Sequence, residues 1–331
     1  MDTDRPFQLF DEFEPHSLPR AVKATRWLTV SSGASDWHLP FFLASGIAAG
    51  PTLVVLAGIH GDEYEGMEAI PEVFRAIDPA QLRGTVLMLS ACNMPAYLRI
   101  TRASPIDGLN LARVFPGNQT GSITERIAFW ITEKLIRHAD FLIDLHSAGQ
   151  TYNLPTLIGH YYSPAAHHQR ALSGARAFGA PVIWSHPPDD APGRTLSAAN
   201  SLGIPAIYTE APGGGWVQPD DVACFVEGVL NVMKHLGMCH GAIRARPLKL
   251  HLIGSGNLDR VIEAPVEGYF RPSVELLDRV RAGQYIGRVQ DLFGEGLADL
   301  HADRDGIVIM LRRPRRVQRG DGLALVTGMF D

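Results

Sequence analysis

A histidine and a glutamate three residues apart, His60 and Glu63, close an apolar run that starts at Leu53 and breaks at Gly58. An imidazole and a carboxylate delivered together supply two of the three protein ligands of a hydrolytic zinc site. A third candidate closes another apolar run, Phe141-Leu-Ile-Asp144-Leu-His146. Two imidazoles and one carboxylate leave a zinc ion net positive, so a water at its open position has a pKa lowered to about 7. An HxxE pair alone is common on surface helices; the preceding buried strand, the glycine and the distant Asp-Leu-His lift this one above that background. A helix starting near Asp62 would put His60 and Glu63 on one face, since residues at i and i+3 point the same way.

Hydrolysis also needs a group that moves protons. Glu210, in Tyr208-Thr-Glu210-Ala-Pro-Gly213-Gly-Gly215, ends a further apolar run and opens a glycine-rich loop. A partly desolvated carboxylate there titrates near the working pH and can act as general acid and base; the plainer reading is ordinary loop chemistry. No lysine follows the glycines, so they do not read as a phosphate cradle. Arg102 and Arg113 flank Asp107-Gly-Leu-Asn110-Leu-Ala112. Guanidinium groups bind planar anions through paired hydrogen bonds, which favours an anion-binding role over the plainer reading of a surface arginine for each. Arg194 and Asn110 are further substrate-binding candidates. Asp144 shares a strand face with His146. It either fixes the tautomer of a ligating imidazole or is a plain strand-end carboxylate, and both readings stay open.

Such residues meet only if several strands end together. Apolar runs bounded by turn residues predict strands at 27–30, 40–43, 51–58, 84–90, 141–145, 181–184 and 204–208. Helices are expected over 63–77, from the capping box Ser122-Ile-Thr-Glu125, over 166–178, and over 221–236 with Asp220 or Asp221 as cap. This alternation predicts an α/β fold: a mixed, mostly parallel sheet covered by helices on both faces. Ligands in such sheets sit at the carboxyl ends of strands, where His60, His146 and Glu210 fall.

After about residue 240 the helical signal stops. Ala264-Pro-Val-Glu-Gly268 with Arg279 to Gly283 is echoed by Ala302-Asp-Arg-Asp-Gly306 with Arg316 to Gly320. The repeat predicts a small C-terminal all-β, barrel-like domain, and a division into residues 1–240, catalytic, and 241–331. It resembles the barrel-sandwich fold of biotinyl and lipoyl carriers, but the segment Leu292 to Leu300 lacks their lysine, so carrier function is not expected and a shielding or substrate-gating role stays open.

A chain of 331 residues, 46% apolar and 20% charged, has room for one large domain and a small one and is not of disordered composition. Its net charge of −5 argues against nucleic acid as a partner. The basic run Arg312-Arg313-Pro-Arg315-Arg316 reads as a solvated strand edge. Cys92, Cys224 and Cys239 show no metal-binding spacing and suit a reducing compartment. Leu39 to Ile59 is uncharged and long enough to span a bilayer, but Pro40, Gly46, Gly50, Pro51 and Gly58 punctuate it as two buried strands. With no signal-peptide pattern at the N-terminus, a cytoplasmic protein with no membrane partner is expected. No apolar surface stripe marks an oligomer contact.

The motifs Gly58-Ile-His60-Gly-Asp-Glu63-x-x-Gly66, Asn93-x-Pro-Ala96, Thr101-Arg102, Asp107-Gly-Leu-Asn110-Leu-Ala112-Arg113-Val-Phe-Pro-Gly117, Asp144-Leu-His146 and Thr209-Glu210 resemble, in this order, the succinylglutamate desuccinylase/aspartoacylase family. That family is similar in fold to the zinc carboxypeptidases. The resemblance implies one Zn2+ held by His60, Glu63 and His146, with Glu210 as general acid/base. It also implies that Arg102 polarises the scissile carbonyl and Arg113 holds a substrate carboxylate. Ala112 departs from the family pattern, which has asparagine before that arginine; Asn110 would substitute from a different angle. The implied activity is zinc-dependent deacylation of a small N-acyl amino acid or related N-acylated amine. A carboxypeptidase-like peptidase or small-ester hydrolase is the alternative, and a non-catalytic binding protein is disfavoured by the intact ligand set. Aspartate, glutamate and diaminobutyrate derivatives fit these residues equally.

Overall fold

The computed structural model describes residues 7–31, 33, 35–188, 192–257 and 261–330. Strands Arg83–Leu89, Ala48–Ala57, Phe141–Leu145 and Ala206–Glu210 lie side by side in that order and run parallel. Along Ala48–Ala57 the side chains alternate between two cores. Val54 and Leu56 join Leu87, Ile127, Ile131 and Leu142, while Leu53, Val55 and Ala57 join Ile70, Val73, Phe225 and Val229. A strand buried on both faces needs apolar residues at every position, which is why this segment shows no polar alternation. Helices Glu65–Ala76, Ala166–Phe178 and Pro219–His235 cover one face; Ile123–Lys134 and Thr195–Ser201 cover the other. The fold is the mixed, largely parallel α/β sheet that the sequence pattern predicts.

Antiparallel pairs enter where Asp36–Ser45 joins Arg83–Leu89 and where Leu157–Tyr161 joins Ala206–Glu210. Beyond Leu157–Tyr161 the sheet runs parallel through Val182–His186 to Leu250–Ile253. The segment from Leu39 to Ile59 supplies two strands, Asp36–Ser45 and Ala48–Ala57, which are separated in the sheet by Arg83–Leu89. No helix among the described residues is long and apolar enough to cross a membrane.

Register decides where a site can form. Leu56 pairs with Asp144 and Ala57 with Leu145; Asp144 pairs in turn with Tyr208 and Leu145 with Thr209. The three strands therefore end level, and the chain leaves them together at Gly58, His146 and Glu210.

Three local expectations need correcting. His60 to Asp62 form a turn, and the helix begins only at Glu65, so His60 and Glu63 are not helical neighbours. The turn is fixed by close backbone approach: Gly58 takes φ +65°, and a Cβ on Gly61 would sit 2.1 Å from the carbonyl carbon of Ala96. Next, the N-cap position of the last helix is Gln218 rather than an aspartate, and its side chain makes no capping hydrogen bond. Pro219 stands where its missing N–H costs nothing, and Asp220 and Asp221 occupy the positive first turn. Finally, the basic run is not all solvated. Arg312 donates to Asp321 at 2.9 Å, and Arg313 donates to Tyr152 O, Asn153 Oδ1 and Pro212 O at 3.0, 2.8 and 2.8 Å. Carbonyls at the end of a loop need donors, and the Arg313 fork supplies them to the loops that follow His146 and Glu210. Arg315 and Arg316 are exposed as expected.

The C-terminal part is all β. Gly268–Pro272, Tyr285–Gln290, Gly296–His301 and Arg316–Val317 make a four-stranded antiparallel sheet. Its core gathers Phe270, Ile286, Val289, Val308, Val317 and Leu323. Strand Gly322–Met329 pairs with Leu250–Ile253 and so connects to the main sheet. A further cluster of Leu157, Val182 and Trp184 with Leu252, Ile309, Met310 and Leu325 packs the two parts together.

Candidate metal centre and its cavity

Glu63 lies at the centre of the convergence. Its Oε1 is 2.7 Å from Nδ1 of His60, and its Oε2 is 2.8 Å from Nδ1 of His146. One ligand atom from each of the three residues lies within 4.8 Å of the others, and His60 and Glu63 are buried. The far ring nitrogens are engaged too. His60 Nε2 faces Asn110 Oδ1 at 3.1 Å and His146 Nε2 faces Asp144 Oδ2 at 2.9 Å. Asn110 Oδ1 also accepts the Ala112 N–H at 2.9 Å, and Asp144 Oδ2 accepts the Thr195 hydroxyl, so both outer atoms are acceptors.

These partners test whether a cation fits. A neutral imidazole has one proton, so in either tautomer one nitrogen of each ring is left bare against an oxygen acceptor. Protonation relieves only half of this. Against the effect of burial, Asp144 and Glu63 hold His146 well above its ordinary value. Burial and the nearby Arg102 charge push His60 down to about 4, so the ring stays neutral with one nitrogen bare. Buried acceptors facing each other are costly, and a divalent cation satisfies all three at once. Two nitrogens and one carboxylate oxygen are also a donor set that zinc takes. The residues fit the metal.

Asp144 thus holds the tautomer of His146 rather than capping a strand end. Asp144→Ala is expected to weaken metal binding by about 10–100-fold, read by competition against a chelator.

Around this centre is a cavity lined by His60, Arg102, Arg113, Asp144, His146, Arg194 and Glu210, which are brought together from five separate segments. Arg102 Nη1 donates to Glu63 Oε1 at 2.9 Å. Arg113 closes the short helical turn Leu111–Arg113 and donates from Nη1 to Ala112 O at 3.0 Å. Arg194 Nη1 donates to Gly256 O at 3.2 Å. Asn110 does not line the cavity; its side chain serves His60 and the turn that carries Arg113. Glu210 Oε2 is buried and has no hydrogen-bond partner among the described residues. Burial and the Glu63 charge push its carboxyl up to about 8.

A sequence model of the succinylglutamate desuccinylase/aspartoacylase catalytic domain matches residues 49–236, which include His60, Glu63, His146 and Glu210. The chain belongs to this family. It is 33% identical over 309 residues to N-alpha-acetyl-L-2,4-diaminobutyric acid deacetylase of Halomonas elongata, a match covering 92% of this chain and 90% of that protein. Among solved structures it is similar to the succinylglutamate desuccinylase/aspartoacylase of Rhodobacter sphaeroides, with a TM-score of 0.84, 30% identity, and 96% and 98% of the two chains covered. The product-bound ectoine utilization protein EutE (DoeB) of Ruegeria pomeroyi gives a TM-score of 0.85 at 28% identity, covering 94% of this chain and 98% of that one. This member of the succinylglutamate desuccinylase/aspartoacylase family is a hydrolase of the deacylase kind with a His-Glu-His metal site.

Sequence patterns missed one side of the cavity. Tyr161, Trp184, His186 and Tyr208 line it, with Thr195, Leu196 and Gly256. Tyr208 had a signal, since it stands two residues before Glu210 on the same strand and shares its face. The others come from strands and loops whose neighbours are set by long-range pairing.

Proposed function

We propose that this chain is a zinc-dependent deacylase that hydrolyses the amide bond of a small N-acyl amino acid, with an N-acetyl amino acid as first choice. One observation carries the reading: ligand atoms of His60, Glu63 and His146 converge, and the two histidines line the same cavity as Glu210, whose buried Oε2 has no partner among the described residues. The relative from Halomonas elongata, named as a deacetylase of N-α-acetyl-L-2,4-diaminobutyric acid, supports the acetyl group and the amino-acid amine.

His60, Glu63 and His146 would hold the zinc, which when bound polarises the scissile carbonyl and lowers the pKa of water. The remaining work falls to the chain. Asp144 and Asn110 keep both imidazoles in the Nε2–H form, with Nδ1 free to ligate. Glu210, freed from other hydrogen bonds, takes a proton from the attacking water and passes it to the departing amine nitrogen. Arg102 meets the carbonyl oxygen as negative charge develops there, and Arg113 receives the substrate carboxylate. Ala112 offers Arg113 its carbonyl oxygen instead of a side-chain amide, so the clamp relies on the guanidinium alone.

A cavity walled by side chains from several separate segments suits one small molecule better than a peptide, which would need an open groove. Gly256, from beyond residue 240, lines one side. We assign catalysis to residues 1–240 and shielding of the cavity to 241–331 on that ground. Three cysteines without a disulfide accord with a cytoplasmic location.

The test is a screen of zinc-loaded protein against acetyl-, succinyl- and formyl-amino acids, small esters and C-terminal dipeptides. Release of acetate from N-acetyl amino acids, abolished by chelator and restored by zinc, is the expected result. Cleavage of dipeptides or esters alone would overturn it.

A further inference from the structure

His186 and Tyr208 form a hydrogen-bonded pair in the cavity wall. His186 Nδ1 lies 2.9 Å from the carbonyl oxygen of Gly254, which can only accept, so Nδ1 carries a proton. The other nitrogen, Nε2, lies 2.7 Å from the Tyr208 hydroxyl. Burial pushes the ring down to about 3, so it is neutral and Nε2 is bare. Tyr208 must therefore donate to His186. Its one proton is spent, and a hydroxyl oxygen with no proton left can only accept.

The pair is built in rather than incidental. Tyr208 stands opposite Gly159 in register, and a Cβ on Gly159 would fall 2.0 Å from the tyrosine ring. A Cβ on Gly256 would fall 2.7 Å from the His186 ring. The indole of Trp184 packs edge-on against His186 with ring centroids 4.6 Å apart. Glycine on both sides makes room for the two rings, and the acceptor-only Gly254 carbonyl sets the direction of their hydrogen bonds.

We propose that Tyr208, with its proton committed to His186, makes the enzyme choose N-acyl amino acids whose side chain ends in a hydrogen-bond donor and reject those ending in a carboxylate. The proposal rests on the deacylase reading above. A donor from an amine or carboxamide completes the chain that runs through Tyr208 and His186 to Gly254. A carboxylate instead sets acceptor against acceptor in a desolvated site, and sites of this kind discriminate more strongly than apolar pockets do. Arg194 adds a positive charge to the same cavity, so a charged and a neutral donor are separate arms of the test.

Zinc-loaded wild type, Tyr208→Phe and His186→Phe are assayed for acetate release from three substrates of similar size. These are N-acetyl-2,4-diaminobutyrate (cationic donor), N-acetylasparagine (neutral donor) and N-acetylaspartate (acceptor). Wild type is expected to prefer at least one donor substrate over N-acetylaspartate by about tenfold or more in kcat/KM, and Tyr208→Phe to erase that ratio. His186→Phe frees the tyrosine proton, and the ratio should shift toward N-acetylaspartate. Wild-type preference for N-acetylaspartate overturns the proposal and leaves the deacylase reading standing. So does an equal loss on all three substrates in Tyr208→Phe with unchanged metal content. No acetate from any substrate with wild type would instead remove the deacylase reading itself.

Discussion

Glu210→Gln is expected to lower kcat by roughly 10²–10⁴-fold, the usual contribution of a positioned general acid/base, with bound metal and KM nearly unchanged. The amide keeps the shape of the carboxylate and loses its ability to take a proton. Glu210 touches none of the three converging ligand atoms by hydrogen bond, so the metal site itself should survive. The pH profile supplies an independent reading. Burial and the Glu63 charge raise the Glu210 carboxyl to about 8. A cation held by Glu63 offsets the second cause and brings the value down. Only the deprotonated carboxylate can act as base, so activity should rise with pH through this pKa and form an acidic limb. In Glu210→Gln that limb should vanish from the residual activity. A variant with full kcat, or one retaining the limb, would remove Glu210 from its assigned role.

The second large effect belongs to His146→Ala. The imidazole bridges Glu63 Oε2 and Asp144 Oδ2, so its removal takes away one ligand and leaves a buried carboxylate without its partner. Metal affinity should fall by more than the roughly 10–100-fold typical of losing an outer hydrogen-bond partner, and activity with it. Added imidazole fits the vacated space and should restore part of both. Elemental analysis beside an acetate-release assay reads the two together. Full metal content with normal turnover would mean that His146 is not a ligand.

The chemically decisive residues were legible because each ends an apolar run. Parallel strands buried on both faces are mainly apolar and turn polar toward their carboxyl ends, as at Asp144 and Thr209, so a histidine or carboxylate closing such a run lies at the edge where sites form. His60, His146 and Glu210 share this property, and the register of Leu56, Asp144 and Tyr208 brings it about. The strand Leu157–Tyr161 was not legible: Gly159 and His160 interrupt its apolar run, and the glycine is there for the ring of Tyr208. The turn holding His60 and Glu63 departs from the helix that local spacing predicts because its shape comes from the approach of Gly61 to Ala96, more than thirty residues away. Pairing at a distance also hid the partnership of His186 with Tyr208 and the grip of Arg313 on the loops beyond His146 and Glu210. Local pattern reports burial and period. It carries no information on which strand will lie beside which.

Everything in the catalytic account follows from one divalent cation seated among two imidazoles and a carboxylate. Anomalous diffraction from crystals grown with zinc, collected on both sides of the zinc absorption edge, tests this directly. The expected map has one strong peak bonded to Nδ1 of His60, a carboxylate oxygen of Glu63 and Nδ1 of His146, beside Glu210. A peak elsewhere, or none at this position in crystals whose protein deacylates its substrate, would contradict it.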